Sequence, residues 1–471
     1  RLLKPSITGE VDTARKAWAD EEAIRTFAVN LRHLLLSSPA GEKAVLGIDP
    51  GFRTGCKIAV VDRTGRLLDH ATVYPTEPRK DEAGAARTLL SLISKHGVQL
   101  IAIGNGTGGR ETDAFVSKAI AGLPDRPVRV TVSEAGASVY SASPLAKAEF
   151  PDLDVTVRGA ISIARRLQDP LAELVKLEPK SIGVGQYQHD VDQKALGRAL
   201  EGVVESCVNH VGVDLNTASG ALLQFVSGLS ATQAKNIVAW RDAHGSFKSR
   251  AQLLDVPRFG PKAFEQAAGF LRLRQSSHPL DNSAVHPERY PLVEQMARDI
   301  SVSLAELLGQ AGAVGRIQWN RYVSGDVGME TLNDIKEELL KPGRDPRQEF
   351  RYAEFHEDLK EVKDLKPDMM LEGVVTNVTA FGAFVDIGVH QDGLVHKSEL
   401  AWRFVQDPAE VIKVGDVVKV KVLKVDLDLN RISLSIKATQ AAPKRENAPP
   451  PMAERRSDGG WRDQLKNWRP R

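Results

Sequence analysis

The chain has 471 residues, 42% hydrophobic and 26% charged, with 63 Lys/Arg against 61 Asp/Glu and a formal net charge of +2. That is the make-up of an ordinary globular protein of about three domains. It excludes a globally basic nucleic-acid coat and leaves local patches open. Two cysteines, Cys56 and Cys207, are too few for a disulfide framework or a thiolate zinc site and fit a reducing compartment. No run approaches the roughly 18 apolar residues of a membrane span. The opening RLLKPSITGE has neither Met nor an apolar signal core, which suggests a fragment or a processed chain.

Residues 11–37 carry Ile24, Phe27, Ala28, Leu31 and Leu34 to Leu36 at helical spacing. From residue 44 the pattern changes. Runs at 45–49, 56–61 and 67–74 predict three strands, with a turn at Arg63-Thr64-Gly65-Arg66. A helix at 81–96 follows, with Leu89, Leu90, Leu92 and Ile93 on its buried side. A strand at 98–103, a helix at 110–121 and a strand at 128–132 come next. A three-strand meander followed by helix, strand, helix, strand predicts a mixed sheet covered by helices.

Residues 179–276 read as all-α, with a weak repeat: Leu223, Val226, Leu229 and Ser230 recur thirty positions later as Leu253, Val256, Phe259 and Gly260. Residues 285–365 look helical and polar. Residues 370–437 become strongly β, and 439–471 hold eight basic and four acidic residues without apolar period, which reads as a disordered basic tail.

The chemistry-bearing motifs start at Gly47-Ile48-Asp49-Pro50-Gly51, where a carboxylate ends a buried strand and glycines let a ligand approach. RNase H-like nucleases use such an Asp with further carboxylates to hold two metal ions, while sugar kinases and actin-like ATPases cradle phosphate on a similar hairpin. Glu134, after the last strand, is a second candidate ligand, and Asp169 a distant third. The helix beginning near Val157 opens without an acid. Gly104 to Arg110 is glycine-rich but lacks the P-loop spacing and its Lys-Ser/Thr pair. A structural role for Asp49, bracing the strand-end loop, stands beside the catalytic one. Mg²⁺ or Mn²⁺ is expected only if the domain cleaves; otherwise no cofactor and no metal site are expected.

The repeat reads as two helical hairpins turning at Val226-Ser227-Gly228-Leu229 and Val256-Pro257-Arg258-Phe259-Gly260. Ser230 and Gln233 form a capping box, and Pro261 suits a first helical position. Helix N-terminal amides at such turns accept phosphate, so Gly228, Gly260, Lys235 and Lys262 are candidate backbone-binding residues. Residues 210–274 hold eight basic and four acidic residues, a balance suited to sequence-independent binding. The plain alternative is that the hairpins only pack together.

Residues 371–437 give five strand signals, the size of an OB-type barrel. Phe381 and Phe384 flank a glycine-permitted bend, and His396 and Arg431 lie on later strands. Aromatic platforms with Arg and His suit single-stranded nucleic acid, since every base has a π-face.

VLGIDPGFRTGCKIAVVD, SIGVGQYQHDV, VNHVGVDLNTASGALL, the second hairpin and FGAFVDIGVHQDGLVHKSEL, in this order, resemble the bacterial Tex-type transcription accessory proteins over nearly the whole chain except the tail. The resemblance implies a YqgF-type RNase H-like domain similar to Holliday-junction resolvases, tandem helix-hairpin-helix segments and an S1-type domain. It also implies architectural kinship with a eukaryotic, histone-handling elongation factor, and a family N-terminal helical region represented here only by residues 1–43. Asp49 matches the relatives' first-strand Asp, and Glu134 their Glu after the last strand. The relatives' closing helix carries an acid where this chain reads RGAISIA. Phe381, Phe384, His396 and Arg431 fall on the S1-type binding surface, and Asp426 near its acidic position.

The resulting expectation is a multidomain α/β, all-α and all-β chain. Its parts are a helical leader (1–43), an RNase H-like mixed sheet (44–178), a helix-hairpin-helix bundle (179–276), a second helical domain or connector (277–366), an OB-type barrel (367–438) and the tail (439–471). It is expected to be cytoplasmic, to bind RNA and/or DNA with little sequence specificity, to meet the transcription machinery, and to have no membrane partner. The rival readings are a metal-dependent nuclease acting through Asp49 and Glu134, and an ATPase using the glycine loops.

Overall fold

The computed structural model describes residues 3–440 apart from 186, 275, 344, 348–349, 351–361, 390 and 427–430. The tail reading at 441–471 lies outside the described residues.

Helix α1 (Leu3–Leu35) buries only its C-terminal half, through Phe27, Leu31 and Leu35. Strands β1 (Val45–Asp49), β2 (Cys56–Val61) and β3 (Leu67–Val73) form the expected meander. Helix α2 (Glu82–His96), strand β4 (Leu100–Gly104), helix α3 (Gly109–Ile120) and strand β5 (Val128–Val132) complete a sheet of order β3-β2-β1-β4-β5. β1 pairs antiparallel with β2 and parallel with β4, so both its faces are covered. Leu46, Ile48, Ile101 and Ile103 pack under α2 and α3. Val45, Leu100 and Ala102 point the other way, as period-two alternation requires. Short helices α4 (Ala137–Ala142) and α5 (Pro144–Glu149) lead to α6 (Val155–Gln168), which closes that second face with Ala160, Ile161, Ala164 and Leu167. Gly47 permits this contact: a Cβ there would sit 2.2 Å from the Ala160 carbonyl oxygen.

Helix α7 (Pro170–Leu174) and the long α8 (Gln193–Val211, capped by Asp192) lead into the hairpins. A two-residue pair, β6 (Val213–Asp214) with β7 (Leu271–Arg272), ties their ends together. Between them lie α9 (Gly220–Leu223), α10 (Ala231–His244) and α11 (Pro261–Ala267). Leu223, Val226, Leu253, Val256 and Phe259 share one core, which is the physical content of the thirty-residue repeat. The first arm of each hairpin is shorter than its periodicity suggests: a single turn at α9, and a 3₁₀ segment at Arg250–Asp255.

Helices α12 (Tyr290–Asp299), α13 (Leu304–Leu307), α14 (Ala311–Gly315) and α15 (Met329–Leu340) enclose a separate core of Leu280, Val293, Met296, Leu332, Ile335 and Leu339. The two helical units meet at Arg250, which is 1% exposed and donates to the carbonyls of Leu271, Ser283 and Val285 and to the Tyr290 hydroxyl.

Strands β8 (Met370–Thr379), β9 (Gly382–Asp386), β10 (Gly393–His396), β11 (Val417–Asp426) and β12 (Arg431–Ser435) form a closed barrel of order β10-β12-β11-β8-β9. The parallel pairing of β10 with β12 seals it. The barrel meets the body through polar groups. Buried Asn30 of α1 donates from Nδ2 to the Val184 carbonyl (3.0 Å), the Asn377 Oδ1 (2.8 Å) and the Val378 carbonyl (3.3 Å). Arg110 of α3 lies 3.9 Å from Asp386.

Among the described residues, no helix is long and apolar enough to cross a membrane. Cys56 and Cys207 are buried and free.

Candidate nucleic-acid interface

The barrel presents β9, β10 and β12 as one outer face. Register sets Phe384 of β9 beside Leu394 of β10, and Leu394 beside Ser433 of β12. His396 lies opposite Gly382, where a Cβ would sit 2.3 Å from the Val395 carbonyl oxygen. Glycine therefore lets β9 close on β10 and holds the preceding turn outward. That turn carries Phe381, 49% exposed, with its ring centroid 6.1 Å from that of the half-buried Phe384 and nearly perpendicular to it. The pair braces itself edge to face and leaves Phe381 open for stacking.

His396 is exposed, and its Nδ1 accepts from the Ser398 backbone N–H at 3.3 Å. A neutral ring held this way carries its proton on Nε2, leaving a donor at the surface. Arg431 opens β12, exposed, opposite Asp426 of β11. Parallel register places it four residues below His396, about 13 Å along the strand direction. The four predicted barrel residues thus share one face, with aromatic surface between a hydrogen-bond donor and a cation.

The hairpin candidates are all exposed, but the two turns differ. Gly228 takes φ +85°, and a Cβ there would lie 2.5 Å from Cβ of Gln266, so the first turn packs on α11. Its repeat equivalent is Arg258, with φ +63°, rather than Gly260. Gly260 instead caps α11 and corresponds to Ser230, whose capping box with Gln233 is formed. Gln233 and Asn236 of α10 grip the second turn through the carbonyls of Arg258 (3.2 Å) and Pro257 (2.7 Å). Lys235 and Lys262 stand exposed near the turns. Exposed Arg258 joins this basic surface, and the thirty-residue offset is the signal that identifies it.

The RNase H-like sheet brings Asp49 and Glu134 together. A Cβ at Gly106 would overlap the Glu134 carboxylate, so the glycine loop after β4 receives that side chain, and Asn105 accepts the Glu134 backbone N–H at 3.1 Å. Burial, and then the neighbouring Glu134, push the Asp49 carboxyl up to about 6 against the opposing pull of Lys57. Lys57, cross-strand from Asp49, donates to the carbonyls of Thr54 (2.6 Å) and Gly55 (2.9 Å). Helix α6 carries no acid; it faces Asp49 with Gly159, whose Cβ would lie 2.6 Å from Oδ2. Arg158, buried, turns to the Ser141 carbonyl.

Asp169 does not join the pair. It lies ten residues beyond Gly159, about 15 Å along a helix axis. There it caps α7 and pairs with Arg347 through both oxygens, at 2.7 and 3.1 Å. No group of three His, Cys, Asp or Glu side chains able to hold a metal ion occurs among the described residues. Two carboxylates with an adjacent ammonium do not match the shared negative ligands that two divalent ions require.

The shifted carboxyl gives a stability prediction. A folded-state value near 6 against an ordinary 3.8 means that the folded chain holds the proton more tightly. The stabilising effect of that proton is complete below about pH 4 and is lost as pH rises through 6. Asp49→Asn is therefore expected to raise stability by about 1–3 kcal/mol at pH 7.5 and leave it unchanged at pH 4. Denaturant titrations at the two pH values measure the difference.

The site and fold define a multidomain chain built from an RNase H-like domain, helical hairpins and an S1-type barrel. Residues 43–168 match the Tex protein YqgF-like domain, 208–272 a helix-hairpin-helix motif, 278–347 an HHH domain and 364–437 an S1 RNA binding domain. Protein tex of Bordetella pertussis is 60% identical over 425 residues, covering 90% of this chain and 54% of that protein. Transcriptional accessory protein Tex of Neisseria gonorrhoeae is 58% identical over 423 residues, covering 90% and 55%. S1 RNA-binding domain-containing protein 1 of Homo sapiens is 35% identical over 507 residues, covering 93% and 50%. Among solved structures, GSP13 from Bacillus subtilis aligns with 18% of this chain and 66% of its own at 46% identity and a TM-score of 0.16. The chain is thus similar to the Tex proteins over 90% of its own length, and it spans about half the length of the curated relatives it matches.

Proposed function

We propose that this chain is a nucleic-acid-binding transcription accessory factor whose main grip is the β9–β10–β12 face of the barrel. The observation that carries this is the convergence of exposed Phe381, His396 and Arg431 with Phe384 on one outer surface. The names of the bacterial and human relatives, with their reference to transcription and to S1 RNA binding, support it. The hairpin surface around Lys235, Arg258 and Lys262 adds phosphate contacts. RNA, single-stranded DNA or both are the ligands, and the transcription machinery is the partner. The two free, buried cysteines suit work in the reducing cytoplasm. The RNase H-like domain is a scaffold without hydrolytic activity, because Asp49 and Glu134 stand beside Lys57 and face an acid-free helix.

Phosphate and stacking contacts do not depend on base identity. Affinity should therefore vary little among scrambled oligonucleotides and fall steeply with salt. The test is binding of single-stranded and duplex RNA and DNA across a salt series, with cleavage in Mg²⁺ or Mn²⁺ followed in the same tubes. A thousandfold preference for one sequence would remove the claim of low specificity. Cleavage abolished by Asp49→Asn would establish the nuclease instead.

A further inference from the structure

Exposed aromatic surface continues beyond His396. The loop after β10 carries Trp402, 45% exposed, and Phe404, 85% exposed, the highest value among the large hydrophobic side chains described. The loop is anchored: Leu400 at 1% and Val405 at 5% exposure plug into the barrel core on either side. The fold itself therefore holds Phe404 in solvent.

A chain of direct contacts joins this loop to the stacking face. The Lys397 backbone N–H donates to the Phe381 carbonyl at 2.9 Å. His396 Nδ1 lies 3.0 Å from the Ser398 Oγ, and Lys437 Nζ donates to the Ser398 carbonyl at 3.4 Å. The same ammonium sits over the Trp402 ring, 4.9 Å from its centroid, and fixes the ring's orientation. Glu399, the nearby acid, is engaged by Ser435 Oγ at 2.7 Å and by Lys437 at 3.9 Å. Arg403, exposed between the two aromatics, completes an alternation of rings and cations.

We propose that the 402–404 loop is a second base-stacking platform, over which a single strand passes after leaving Phe381 and His396. The inference rests on the barrel face being the nucleic-acid interface. Continuity with that face and the interleaved Arg403 and Lys437 point to a strand of bases and phosphates, since rings with alternating cations track a nucleic-acid backbone.

The test uses the full chain, its Trp402→Ala/Phe404→Ala double variant and Phe381→Ala, titrated by fluorescence anisotropy with oligo(U) and oligo(dT). The lengths run from about four nucleotides, the lower end of the site size of one OB-type fold, upwards. The double variant should bind the shortest ligand like the parent and lose about tenfold or more on ligands long enough to reach both platforms. Phe381→Ala should weaken every length. Thermal melts matching the parent, and recovery of long-ligand binding in Trp402→Phe/Phe404→Tyr, separate lost stacking from lost folding. If Phe381→Ala weakens binding but the double variant matches the parent at all lengths, the second platform is overturned and the loop's aromatics face a protein. If Phe381→Ala has no effect at any length, the underlying interface is what fails.

Discussion

A chain lacking residues 367–437 is expected to lose at least about a hundredfold in affinity for single-stranded RNA or DNA at moderate salt. The deletion removes Phe381, Phe384, His396 and Arg431 together, and a base stacked on an aromatic ring contributes about 1–3 kcal/mol. Two such contacts suffice for a hundredfold change, because each 1.4 kcal/mol is about tenfold. The hairpins would retain a weak, strongly salt-dependent grip on phosphates. The body should survive the deletion, because its own cores lie within the sheet and the helical units. The surface uncovered on α1 centres on polar Asn30. Phe381→Ala alone should cost about 1–3 kcal/mol without loss of fold, since the ring is half-exposed in a turn. Anisotropy measurements on the deletion settle the matter: unchanged affinity would move the interface off the barrel.

The largest stability effect is expected at Arg250, buried at the joint between the two helical units. Arg250→Met keeps an unbranched apolar stem and removes every side-chain donor. The carbonyls of Leu271, Ser283 and Val285 would then be buried without partners, as would one bond to the Tyr290 hydroxyl. Asp281, which accepts from the Tyr290 hydroxyl at 2.8 Å, would lose the nearby cation that balances its charge. Each buried carbonyl left without a partner costs about 1–3 kcal/mol, so the loss should reach about 3–5 kcal/mol or more. Tyr290→Phe should cost about 1.5–3 kcal/mol, because its hydroxyl accepts from the Arg250 guanidinium and donates to the Asp281 carboxylate. A chain of several cores need not unfold in one step, so the measurement is hydrogen exchange at 250–300 alongside denaturant titration. Protection in α12 should fall in Arg250→Met while β1 and β4 stay protected. Unaltered exchange there would show that the joint does not depend on the guanidinium.

The elements were legible where local periodicity decides them. The apolar run of β5 and the N-cap of α2 at Asp81 follow from residues within a few positions of one another. The nearness of Phe381 to Phe384 was legible because the two are sequence neighbours on either side of Gly382, a residue that lets the chain bend. Long-range pairings were not. Asp169 reads as a spare carboxylate until Arg347 arrives from 178 residues away. Nothing beside Arg250 in the chain points to the carbonyls of Leu271, Ser283 and Val285 that surround it, which come from 21 to 35 positions away. Trp402 and Phe404 carry no local signal of exposure, because exposure depends on which neighbours of a loop residue reach the core. Arg258 was within reach: the offset that aligns Val226 with Val256 also aligns Gly228 with Arg258.

The seam between β10 and β12 also bears on aggregation. A sheet that ends leaves a row of unpaired amides ready to recruit another chain, and most small β domains need a covering element against that. Here the ring returns to its starting strand, so every strand of the barrel has a neighbour on each side. Its attachment to α1 and α3 runs through an asparagine amide and a long ion pair, groups that water can serve equally well. A domain whose edges are all paired internally offers no strand for another chain to extend.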